Sequence, residues 1–142
     1  MTDAFSVDVS DLFQKKSAKR FGLTTGSNLP PEIVQQLGDA EKFYIEGNNA
    51  EAIKILSNIT KQAPRHAEPY KILALIYEEI HADVQVLQLY ALSAVFTRKD
   101  AKLWEKVYDY GVRTKEYNQA MVAINRAIAL DKERKIYYQE RL

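Results

Sequence analysis

The chain of 142 residues contains no cysteine and only two histidines. Without cysteine there is no disulfide, no thiolate metal site and no cysteine nucleophile. His66 and His81 lack the carboxylate partners and helical spacing of an H-E-x-x-H site, so both are expected as exposed turn residues rather than ligands. No G-x-S-x-G elbow, P-loop or G-x-G-x-x-G turn occurs either. Glu78 and Glu79 are sequence neighbours that diverge on a helix, which makes them part of a solvated face and not an acid pair. Neither catalysis nor a cofactor or metal is therefore expected. An excess of charge is missing too: 20 basic against 19 acidic side chains leave +1, with no global pull toward nucleic acid or membrane. No apolar run reaches the roughly 20 residues that span a bilayer. The N-terminal segment carries Asp3, Asp8 and Asp11, unlike the basic start of a secretory signal. A soluble intracellular domain with one modest core is the expectation.

What the sequence does contain is a period. Tyr70, Trp104 and Tyr138 are evenly spaced, and the same interval separates Ala52, Val86 and Ala120, and again Gly47, His81 and Lys115. Aromatic and small landmarks recurring at about 34 residues are the signature of the tetratricopeptide (TPR) repeat, a helical hairpin that stacks on its neighbours. The predicted fold class is all-α: a TPR helical-hairpin solenoid, a right-handed superhelix, with a flexible N-terminal arm. Residues 1–28 are assigned to the arm and its linker. Residues 29–142 are assigned to the array, about three full repeats plus the first helix of a fourth.

The arm has few apolar residues and one basic cluster, Lys15, Lys16, Lys19 and Arg20, between Phe13 and Phe21. Three readings stand: a solvated tail, an import or phosphate-contact cluster, or a peptide that docks through its two phenylalanines. In the array, Pro31 suits the first turn of a helix that runs to about Glu46. Gly47-Asn48-Asn49 is a turn, with Asn49 expected to cap a second helix that ends before Pro64. Tyr70, Leu73, Ala74 and Tyr77 follow the aromatic–Leu–small–aromatic pattern of a repeat's first helix, and His81-Ala82-Asp83 is the next turn. Asp100 is placed to cap the third unit, and Tyr117-Asn118 are expected in its turn. That unit breaks the pattern. The small position holds Tyr108 and the aromatic position holds Gly111, which suggests an exchange of large and small side chains. Tyr138 opens a fourth unit whose apolar residues would face nothing, so the chain is expected to be part of a longer array.

Binding in such a stack falls on the face formed by the first helices of the hairpins. Spacings of three and four from the core landmarks give Val34, Leu37, Glu41 and Tyr44 in the first unit. The second contributes Glu68, Lys71, Leu75 and Glu78, and the third Lys102, Glu105, Asp109 and Val112. Val34, Leu37, Tyr44 and Leu75 are the expected apolar anchors, unless some of them pack on the arm or on further repeats. Tyr70, Tyr77, Trp104 and Tyr138 sit on structural landmarks and are assigned to the core rather than to a nucleic-acid stacking platform.

Two resemblances bear on the partner. Co-chaperone TPR domains hold a C-terminal carboxylate with Lys and Asn side chains. Leu37, Glu41 and Ile72 replace that set here, while Lys102 and Lys106 match its remaining basic pair, so carboxylate capture is not expected. The run from Leu29 to Leu142 resembles the N-terminal TPR array of the TPR subunit of general transcription factor IIIC. The carrying residues are Leu29-Pro30-Pro31, Gln62-Ala63-Pro64, Glu68-Pro69-Tyr70, Ala74, Ile76-Tyr77-Glu78, Trp104, Gln119-Ala120 and Tyr137 to Arg141. That resemblance implies a nuclear, non-enzymatic scaffold of RNA polymerase III transcription. Its implied partners are the other transcription factor IIIC subunits and transcription factor IIIB, with nucleic acid contacted indirectly and no membrane. Arg98 and Lys132 in place of proline, His81 in place of a turn glycine, and the Tyr108/Gly111 exchange depart from the pattern. A generic TPR adaptor that binds a peptide or helix, as a co-chaperone or an RNA-processing or cell-cycle assembly factor, is the alternative.

Overall fold

Residues 29–97 and 99–132 are described by the computed structural model, and they form six α-helices and no strand. These are α1 (Pro31–Ile45), α2 (Asn49–Gln62), α3 (Ala67–Glu79), α4 (Asp83–Thr97), α5 (Ala101–Arg113) and α6 (Tyr117–Leu130). The arm with its basic cluster, and Tyr138 of the expected fourth unit, lie outside the described residues.

The sequence period reappears in the backbone. Gly47, His81 and Lys115 take positive φ values of 84°, 58° and 63°. At each of them the same two hydrogen bonds close the helix. The amides of Gly47, His81 and Lys115 donate to the carbonyls of Tyr44, Glu78 and Val112, at 3.0, 3.1 and 3.1 Å. The amides that follow, of Asn48, Ala82 and Glu116, donate to Phe43, Tyr77 and Gly111 at 2.8, 3.1 and 2.8 Å. This is the Schellman closure, which satisfies carbonyls that the helix end would otherwise leave bare. Three hairpins, α1–α2, α3–α4 and α5–α6, are thus turned by one device at one interval.

Several local expectations need correction. Asn48, not Asn49, caps α2: its side chain accepts from the Glu51 amide at 3.4 Å. Asn49 is already helical and sends its Nδ2 to Glu79 Oε1 at 3.2 Å. Tyr117 and Asn118 belong to the first turn of α6, because the left-handed residue that reverses the chain is Lys115. His66 occupies the cap position of α3 and is half-buried, and burial lowers its pKa. Only His81 is an exposed turn histidine. Asp100 does cap α5, its carboxylate accepting from the Lys102 and Leu103 amides at 3.0 and 3.3 Å.

Packing runs in series. Each helix packs chiefly on the next in the chain, with a lesser contact between α1 and α3. Helix α4 is the middle of the stack: Val86, Leu87 and every residue from Leu89 to Phe96 are buried. It packs on α3 and on α5 and carries no wide polar stripe. Such serial packing of helical hairpins is compatible with a helical-repeat solenoid.

The irregular third hairpin has a structural cause. A Cβ built on Gly111 would lie 3.0 Å from the Ala120 Cβ and 3.1 Å from its Cα and N. Helices α5 and α6 approach closely there, so that even a methyl group would be crowded. Tyr108, one turn earlier, is buried. The tight approach therefore falls at Gly111, where the second hairpin carries Tyr77.

Candidate partner-binding face

The first helices of hairpins two and three, α3 and α5, are joined by one carboxylate. Glu78 Oε1 accepts from the Tyr90 hydroxyl of α4 at 3.0 Å, and Glu78 Oε2 accepts from the Tyr110 hydroxyl of α5 at 2.7 Å. Lys106 Nζ lies 3.6 Å from the same Oε2 and 5.7 Å from the centre of the Tyr90 ring. The two tyrosine rings tilt against each other with centres 6.1 Å apart. Glu78 is only 22% exposed. The expectation of a solvated glutamate pair thus fails for Glu78. Glu79 does face solvent, bonded to Asn49.

Beside this node is a cavity of about 230 Å³. Leu75, Tyr90 and Leu103 form its apolar part, and Lys71, Lys102 and Lys106 stand around it. Asp100 also borders it, with its carboxylate turned to the α5 amides. Spacings of four place Lys71 with Leu75 and Lys102 with Lys106 on single helix faces. Lys71 pairs with Glu68 at 3.2 Å.

The expected face residues divide accordingly. Lys71, Leu75 and Lys102 meet at the cavity, with Glu68 and Glu78 beside it through their lysine partners. Asp109 and Val112 line a separate depression of about 260 Å³ with Tyr108 and Arg113. On α1, Val34 and Glu41 are exposed and Leu37 and Tyr44 half-buried, and Glu105 is half-buried on α5. Of the four expected anchors, only Leu75 borders the cavity. Tyr90, Leu103 and Tyr110 were absent from the expected face. One signal pointed to Tyr110: it stands one repeat interval after Ile76, a buried position, so its hydroxyl needed an acceptor.

These surroundings govern how the tyrosines titrate. Burial, then the hydrogen bond to Glu78 and its charge, push Tyr110 up to about 12, against the opposing charge of Arg113. Tyr90 is raised by burial and then by the charge and hydrogen bond of Glu78. Burial alone pushes Tyr70 up to about 12. Its hydroxyl donates to the Pro64 carbonyl at 2.7 Å. Tyr44 is raised by burial and by Glu79 and Glu78. In the unfolded chain these phenols ionise near 10. Above that pH the unfolded state has lost protons that the folded state keeps, so stability falls as pH rises. The stabilisation is complete below about pH 10 and is lost on rising to about 12. Thermal melts from pH 8 upward should show a flat Tm and then a steep decline. A Tyr70→Phe, Tyr110→Phe variant should decline less steeply, and an equal decline would refute this assignment.

No model of a known protein family matches the chain. It is distantly similar to a human transcription factor subunit. That protein, General transcription factor 3C polypeptide 3, is 27% identical over 115 residues. The match covers 81% of this chain and 13% of the human protein, so the chain spans a small part of the relative's length. Among the described residues no group of three or more His, Cys, Asp or Glu is placed to hold a metal ion. None of the described helices is long and apolar enough to cross a membrane.

Proposed function

We propose that the chain is a TPR-type, non-enzymatic scaffold that assembles protein partners in transcription, in the manner of a transcription factor IIIC subunit in the RNA polymerase III system. The similarity to General transcription factor 3C polypeptide 3 across 81% of the chain carries this reading. The left-handed turn that recurs once per sequence period supports the TPR assignment. On this reading the partners are other transcription factor IIIC subunits and transcription factor IIIB, the site of action is the nucleus, and nucleic acid is contacted through partners. The binding face is the one formed by α3 and α5, where an apolar cavity is ringed by lysines.

Affinity isolation of the tagged chain from nuclear extract, with partners identified by mass spectrometry, tests it. Recovery of transcription factor IIIC and IIIB subunits is expected. Recovery of chaperones instead would favour the adaptor alternative. Leu75 is 40% exposed, so Leu75→Glu should leave the fold intact while lowering partner recovery about tenfold, equivalent to about 1.4 kcal/mol. Unchanged recovery would place the binding face elsewhere.

A further inference from the structure

We infer that the lysine-ringed cavity between α3 and α5 receives the acidic, apolar half of this chain's own N-terminal arm, Asp3 to Phe13. The inference rests on reading the α3–α5 face as a peptide-binding surface. From Asp3 to Phe13 the sequence holds three carboxylates, Asp3, Asp8 and Asp11, and no lysine or arginine. Between them stand Phe5, Val7, Val9, Leu12 and Phe13. The cavity offers the complement. Its apolar part, from Leu75, Tyr90 and Leu103, takes an apolar side chain, and three amines stand around it.

Those amines are available. Lys71 pairs with Glu68 at 3.2 Å and Lys106 with Glu78 at 3.6 Å, Lys106 also lying over the Tyr90 ring, and partly exposed pairs of this kind exchange partners at little cost. Lys102 has no ion pair with a described residue. Asp100 is the one carboxylate in the cavity lining, against three lysines, and its Oδ1 is engaged by two α5 amides. Charge order along the chain agrees as well. The basic cluster Lys15 to Arg20 lies between the acidic half and α1 in the sequence, outside the segment assigned to the cavity. Reach is ample, since about 19 residues of arm extend up to roughly 60 Å, against about 10 Å between neighbouring helices.

A chain with no cysteine accepts a single spin label cleanly, so the full chain carrying Val9→Cys with a nitroxide is the test. Amide NMR signals of Leu75, Lys102 and Leu103 should lose most of their intensity, while those of Met121 and Asn125 on α6 keep theirs. Reversing Asp3, Asp8 and Asp11 to lysine should abolish the loss, and adding Lys71→Glu and Lys102→Glu should restore it. No selective loss overturns the inference, as does a loss that survives the charge reversal. A loss seen only when labelled and unlabelled chains are mixed also overturns it, by assigning the cavity to the arm of a second copy. Partner recovery in the isolation experiment reads separately. If it persists while the arm makes no contact, only this inference falls; if both fail, the face is not a binding surface.

Discussion

Glu78→Ala should destabilise the chain by about 3 kcal/mol, while Glu79→Ala should cost under about 1 kcal/mol. The two glutamates are adjacent, yet their work differs. Glu78 accepts from two hydroxyls, on Tyr90 and Tyr110, whose residues are only 4% and 7% exposed. Hydrogen bonds to a charged acceptor contribute about 1.5–3 kcal/mol each. The pair will not add fully, because they share one carboxylate and water can enter from its exposed side. Lys106 would also lose its partner. Glu79 faces solvent and holds Asn49 at 3.2 Å, an exposed contact of little net value. Urea denaturation of the two variants decides the matter. Equal midpoints would mean that the carboxylate bridge between α3 and α5 contributes nothing to stability. A cycle with Tyr110→Phe should then show a coupling of about 1 kcal/mol or more.

Gly111→Val is the second large effect, a loss of about 3 kcal/mol. The Cβ alone would approach Ala120 atoms at 3.0 to 3.1 Å, two of them backbone, and backbone cannot rotate aside. Valine then adds two methyl groups in a helix where its rotamers are restricted. Gly111→Ala is a sharper control. Its gain in helix propensity, about 1 kcal/mol, opposes the crowding, so the net change should be small. Adding Ala120→Gly removes the atom at 3.0 Å and should recover part of the valine penalty, measured against Ala120→Gly alone. If Gly111→Val melts with the parent chain, the close contact of α5 with α6 does not exist.

Both predictions also show how far the sequence could be read. The hairpin order was legible because landmarks recur at one fixed interval, and Gly47, His81 and Lys115 fall on it and share a backbone conformation. Gly111 was legible as an anomaly, since a small residue stood where an aromatic was expected. Its neighbour Ala120 was not, because packing across a hairpin leaves no local trace. Glu78 was misread for a similar reason. Its partners lie 12 and 32 residues away, and nothing in the Glu78-Glu79 pair distinguishes the buried member from the exposed one. Val34, Leu37 and Tyr44 do not line the cavity at Leu75; periodicity places residues on a helix face but does not say where neighbouring helices leave a hollow.

The serial order of the helices has a consequence for how the chain reaches its fold. Contacts lie chiefly between consecutive helices, and even the bridges from Glu78 to Tyr110 and from Asn49 to Glu79 span 32 and 30 residues. Among the described residues no long loop has to close before these contacts form, so folding on the microsecond to millisecond scale of helical proteins is the expected result of a temperature-jump or stopped-flow measurement. Helix α4, buried along most of its length between α3 and α5, is where such growth gathers its apolar contacts, and truncations that stop before Asp83 lose that seed.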